Sequence, residues 1–224
     1  MGWFTKKKPQ AQSRVDLRET FFADTPLSRT AMLSSGDAEG PWQYFRTAAQ
    51  LQRAGNIQEA RRQLHWILET TGLESRIYLW AWTALRELGE APPSEIEREV
   101  LGVVIDVGLD LGLDTLAAYQ DHSARYINQS GKIIIWDAPT PEMNSYIDAL
   151  LEAAREVVRH TGLHNGPRPA APGKHNALIT ILTPGGIHFG GGEMDALYAD
   201  PIGGPALNRG AMLMQALIGK AQPS

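Results

Sequence analysis

Between Leu101 and Asp137 the chain alternates apolar runs of strand length with short breaks at Gly, Asp, Asn and Ser, reading LGVVIDVGLD, LGLDTLAAYQD, HSARYINQSGKIIIWD. Runs of this kind, punctuated by turn-forming residues, fold as antiparallel strands joined by tight connections. A β-meander is therefore the expected centre of the molecule. Val103 to Val107 is nearly continuous in apolar character, as a central strand covered on both faces requires. Leu116 to Tyr119 and Ala124 to Ile127 supply the next strands. Lys132 to Trp136 follows and again reads as strongly buried.

What flanks the meander has to cover it. Residues 1–40 are polar and irregular, with Pro9, Pro26, Ser34, Ser35, Gly36 and Gly40 as punctuation, and are expected to form a flexible arm. Its apolar interruption, Leu17 with Phe21 and Phe22, has the spacing of a helical turn docked on the body of the protein. Residues 41–92 read as helical. Pro41 suits a first helical turn, where its missing N–H is no loss, and Trp42, Phe45, Ala48, Ala49 and Leu51 follow at helical spacing. Gly55-Asn56 ends that helix, Ile57, Ala60, Leu64, Ile67 and Leu68 make the stripe of a second, and Gly72 ends it. A third, Glu74 to Leu88, aligns Ile77, Trp80, Ala81, Ala84, Leu85 and Leu88, with Tyr78 and Trp82 outside the stripe. Residues 93–224 then form the sheet domain: the meander, an amphipathic helix from Glu142 to His160, a Pro- and Gly-rich loop, and a hairpin from Ala177 to Phe189 turning at Pro184-Gly185-Gly186. A Gly-rich passage, Gly190 to Gly192, leads out of the hairpin, and a last helix runs from Leu207 to Ile218. Helices first, then strands in sequence, then helix, hairpin and helix, make this an α+β chain with a mostly antiparallel sheet.

The run Ala48-Ala49-Gln50-Leu51-Gln52-Arg53-Ala54-Gly55-Asn56-Ile57-Gln58-Glu59-Ala60 resembles the middle of a tetratricopeptide repeat. In that family small residues sit where paired helices touch, Gly with Asn or Asp makes the turn, and an Ala comes early in the second helix. The resemblance spans residues 42–71 and is a single copy, whereas stable arrays need about three repeats, so the third helix is expected to complete it. It implies a surface that receives a peptide or partner helix, with Tyr44, Arg61, Arg62, Trp80 and Trp82 as contact candidates.

Composition narrows the function classes. A net charge of -4 argues against general attraction to nucleic acid, which needs a concentrated basic surface. The absence of cysteine excludes disulfides, thiolate catalysis and Cys-ligated zinc, and fits a reducing compartment. The N-terminal stretch lacks the apolar core of a secretory signal, and a cytoplasmic protein without a transmembrane segment is expected. Trp3 and Phe4 beside Lys6, Lys7 and Lys8 have the chemistry of a weak peripheral contact with an anionic membrane.

Chemistry is most concentrated at Asp106, Gly108, Asp110, Gly112 and Asp114, the end of the most apolar strand. Several carboxylates in a compact loop suit a divalent cation, and the same letters suit a solvated turn. Val103-Val104-Ile105-Asp106-Val107-Gly108 resembles the first phosphate loop of the actin and sugar-kinase superfamily, and more loosely the opening of RNase H-like nucleases. That resemblance implies a metal-organising carboxylate at Asp106 and a phosphate contact at Gly108. Elsewhere Gly173-Lys174 lacks the order of a phosphate-binding loop, His160 and His164 are separated by a helix-breaking Gly162, and no serine stands in a nucleophile elbow. The resulting expectation is a non-enzymatic adaptor or accessory protein of a bacterial-type cytoplasmic assembly, binding another protein and requiring no cofactor. The alternative is a metal-dependent phosphoryl-transfer or nuclease-like enzyme using Asp106, Asp110 and Asp114.

Overall fold

The protein was analysed as a computed structural model, which describes residues 17–33 and 40–221. The meander forms β1 (Gly102–Gly108), β2 (Leu113–Tyr119), β3 (Ala124–Ile127) and β4 (Ile133–Trp136), each antiparallel to the one before. A hairpin of β5 (Asn176–Thr183) and β6 (Gly186–Glu193) joins the other side of β1, so the antiparallel sheet runs β4-β3-β2-β1-β5-β6. The nearly continuous apolar run from Val103 to Val107 is thus a central strand. Residues 17–33 contribute a helical turn and α1 (Leu27–Thr30), followed by α2 (Pro41–Arg53), α3 (Ile57–Glu69) and α4 (Ser75–Glu87). α5 (Pro141–His160) connects β4 to β5, and α6 (Met194–Ala199) and α7 (Gly203–Ala221) close the described chain.

Register divides the sheet into two faces. Val104 stands opposite Ala117 and Thr180, and Asp106 opposite Thr115 and Leu178, so these side chains share one face. Val103, Ile105 and Val107 point to the other, because side chains alternate along a strand. The first face is covered by the N-terminal helices. Phe45, Ala48, Ala49, Ala60, Leu64 and Ile67 are buried between α2 and α3, and α4 packs against α3, so the three helices form successive hairpins. Glycines at +77° (Gly55) and +78° (Gly72) in φ make the two turns, a backbone conformation that favours Gly. The described part of the stretch read as an arm also lies on this face. Phe21 and Phe22 are 1% and 2% exposed, and the Tyr119 hydroxyl donates to the Phe21 carbonyl at 2.7 Å.

α5 and α7 cover the second face. α5 begins at Thr140, whose side-chain oxygen accepts the Met143 N–H at 3.3 Å, satisfying one of the free amides of a helix start. Its Met143, Ile147, Leu150, Leu151, Ala154, Val157 and Val158 are all buried, matching the predicted stripe. α7 approaches the sheet closely at Gly210, where a Cβ would stand 2.4 Å from Ile105 Cδ1. The architecture is three layers: helices, sheet, helices.

Three sequence expectations are corrected. β2 starts at Leu113, three residues before the predicted Leu116. The glycines expected to lead out of the hairpin belong to β6, since a ladder needs backbone groups and not side chains; at Gly191 a Cβ would lie 2.9 Å from the Ala177 carbonyl. β4, expected to be strongly buried, has Ile133 and Ile135 44% and 56% exposed. It is the last strand of the sheet. Among the described residues no helix is long and apolar enough to cross a membrane. Trp3, Phe4, Lys6, Lys7 and Lys8 lie outside the described residues.

Candidate functional sites around the sheet

The three carboxylates singled out from the sequence are not brought together. Asp106 is fully buried, accepts two hydrogen bonds from the Arg18 guanidinium at 3.0 and 2.6 Å, and accepts a third from the Thr115 hydroxyl at 2.6 Å. A carboxylate held this way is paired with a cation supplied by the protein itself. Asp110 sits in the exposed β1–β2 turn, 2.7 Å from the Lys174 ammonium. Asp114 lies opposite Val107, so it points to the face away from Asp106. Gly108 does permit a close approach, but of the chain's own backbone: a Cβ there would stand 2.0 Å from the Gly173 carbonyl, and the His175 N–H donates to the Gly108 carbonyl at 2.9 Å. Among the described residues no group of three or more His, Asp or Glu side chains is placed to hold a metal ion.

Arg18 belongs to a larger cluster. The guanidinium carbons of Arg18 and Arg168 stand over the Phe22 ring, at 4.9 and 3.6 Å from its centroid. Arg168, in the loop before β5, pairs with Asp24 at 2.6 Å and with Glu19. These contacts fasten residues 18–24 to the sheet and to that loop.

Asp114 is part of a different constellation. With Ile105, Leu116, Tyr126, Leu207 and Met214 it lines a half-open cavity of about 170 Å³ between the sheet and α7. The walls are apolar, and the polar end is a carboxylate–phenol pair, Tyr126 donating to Asp114 Oδ2 at 2.7 Å. Oδ1 accepts the Gln129 backbone N–H at 2.6 Å. Burial, then the hydrogen bond to Asp114 and its negative charge, hold the Tyr126 phenol above the ordinary tyrosine range. An apolar pocket with a few convergent polar groups is the usual form of a small-ligand site.

The helical candidates divide into interior and surface. Trp80 and Trp82 are buried in the core between helices and sheet. Arg61 donates to the Leu88 carbonyl at 2.5 Å and lies 3.5 Å from Glu90, tying α3 to the end of α4. Arg62 is exposed and pairs with Glu59 at 2.8 Å. Tyr44 packs edge-on against Trp66, centroids 5.5 Å apart, and Trp66 is itself among the exposed large apolar residues.

The outer edge of β4 is the other feature that sequence reading passed over. Among the described residues no strand pairs with it. Ile133 and Ile135 line a groove of about 300 Å³ with Leu17, Phe21, Arg76 and Arg125. Arg125 is held by Asp137 at 2.5 Å and by the Trp136 carbonyl at 3.1 Å, which fixes the floor of the groove. Four apolar residues without charge or proline, on a strand with unpaired backbone groups, form an unprotected edge.

His188 is buried in β6, with Nδ1 3.1 Å from the Thr161 hydroxyl and, among the described residues, no hydrogen-bond partner for Nε2. Burial first, and then repulsion from Arg98, lower its pKa below the ordinary histidine value; Thr161 and Glu97 act in the opposite direction.

No family model matches the chain, and no match is found among curated proteins or solved structures.

Proposed function

We propose that this chain is a non-enzymatic protein-interaction module, an adaptor or accessory protein of a cytoplasmic assembly, that takes up an extended segment of another protein along β4. The observation that carries the reading is the β4 edge: it exposes Ile133 and Ile135 beside a groove and, among the described residues, its outer side has no strand. An added strand gains main-chain hydrogen bonds from such an edge and specificity from pockets for alternate side chains. The occupant is a segment with apolar residues at every second position, seated against Ile133 and Ile135. The tetratricopeptide-like hairpin of α2 and α3 supports the same reading by offering Tyr44, Arg61 and Arg62 as a second contact face.

The test is a photo-crosslinking residue at position 135 in the native cell, followed by mapping of the crosslinked segment and titration of that segment, as a synthetic peptide, against the purified protein. The wild type should bind it, and Ile133→Lys with Ile135→Lys should weaken binding by about tenfold or more. A crosslink only to further copies of this chain, or equal affinity for both proteins, overturns the reading.

A further inference from the structure

We infer that the cavity between the sheet and α7 is a binding site for a small organic ammonium ion with an apolar body. Three observations on separate elements converge on that chemistry.

The first is size and lining. At about 170 Å³ the cavity exceeds the roughly 150 Å³ of an engineered apolar cavity that admits benzene. Ile105 and Leu116 from the sheet and Leu207 and Met214 from α7 give it walls that favour a ring or a short branched chain.

The second is an unbalanced charge. Asp114 lines the cavity and accepts two hydrogen bonds, from the Tyr126 hydroxyl and the Gln129 amide, both from neutral donors. Among the described residues no Lys, Arg or His comes within ion-pair distance of it, unlike Asp106 with Arg18 and Asp110 with Lys174. Each carboxylate oxygen has lone-pair capacity for a further donor. An anion or a second carboxylate is repelled here, whereas an ammonium supplies both the missing charge and the donors.

The third is the aromatic surround. Tyr126 and Tyr198 line the same cavity, and phenol rings attract an organic cation through their π faces. A carboxylate, two tyrosines and an apolar pocket select a cation over a neutral molecule of the same shape.

The experiment uses the full chain and three probes of nearly equal shape: 2-phenylethylammonium, 2-phenylethanol and phenylacetate. Binding is read by calorimetry and by the methyl resonances of Met194 and Met214, which line the cavity. The ammonium should bind about tenfold or more tightly than the alcohol, with phenylacetate weakest, and both methionine methyls should shift on titration. Asp114→Asn should reduce the ammonium preference to less than about threefold while the alcohol binds as before. Should Asp114→Asn fail to fold, Ala211→Phe, which fills the cavity from α7, keeps the test open by abolishing binding of both probes. Equal affinity for the three probes, binding that persists in Ala211→Phe, or no probe binding at all overturns the inference.

Discussion

Arg18 and Asp106 stand 88 positions apart in the chain and meet through two parallel hydrogen bonds, Nε to Oδ1 and Nη2 to Oδ2. The pair is almost closed to solvent, with side-chain exposures of 14% and 0%. Removing one partner leaves an uncompensated buried charge, which typically destabilises by about 3–5 kcal/mol. Arg18→Met should therefore lower the unfolding free energy by about 3 kcal/mol in urea titration, and Arg18→Met with Asp106→Asn should recover part of it. Equal stability of Arg18→Met and wild type would show that residues 17–24 are not fastened as described.

Two glycines offer a matched comparison. At Gly108 an added methyl meets the Gly173 backbone, which cannot swing aside as a side chain would; at Gly190 it meets open space. Gly108→Ala should cost about 2 kcal/mol through strain. Gly190→Ala should be neutral or stabilise by up to about 1 kcal/mol, since a strand glycine gives up more chain entropy on folding. Thermal unfolding of both variants checks the ordering.

Stability should depend on pH through His188. Its folded pKa lies below the ordinary value near 6.5, so between those two values the unfolded chain binds more protons than the folded one. Folding stability is thus intact above about pH 6.5 and falls as the pH drops through that window. His188→Gln should flatten this part of the stability profile. Arg98 and Glu97 are the charged groups that act on the ring, and Arg98→Gln should make the fall smaller, because relieving the repulsion raises the folded pKa towards the ordinary value and narrows the window from its lower end.

Ile133 and Ile135 are about half exposed on an edge, so their replacement removes less buried area than a core substitution does. Ile133→Lys with Ile135→Lys should lower the unfolding free energy by about 1 kcal/mol, well short of a core truncation, while reducing association at high concentration, as charge on an edge strand does. Denaturant titration and light scattering separate the two effects. A large loss of stability would place these residues in a core.

The order of elements was legible because periodicity reports which faces are apolar. α5 shows this well: its buried residues are those the helical stripe marks. β4 shows the limit, since Ile133 to Trp136 looks identical whether a strand is central or last, and position in a sheet is a property of all the strands together. The carboxylates show it again. Asp106 and Asp114 are close in sequence, yet strand alternation and register turn them to opposite faces, where one meets Arg18 and the other Tyr126. Neither partner was near enough in sequence to be found by spacing. Tyr126 carried one usable signal, a polar-tipped aromatic in a strand facing Asp114 across the meander turn.

β1 takes one neighbour from close by, β2, and the other, β5, from beyond α5. During synthesis on the ribosome the meander emerges first, and its most apolar strand waits with one side bare until the hairpin arrives. A chain interrupted in the 137–140 connection therefore yields two pieces with matching unpaired strands, and the two should reassemble when expressed together, as split proteins do, while each alone should be held by chaperones or lost to aggregation.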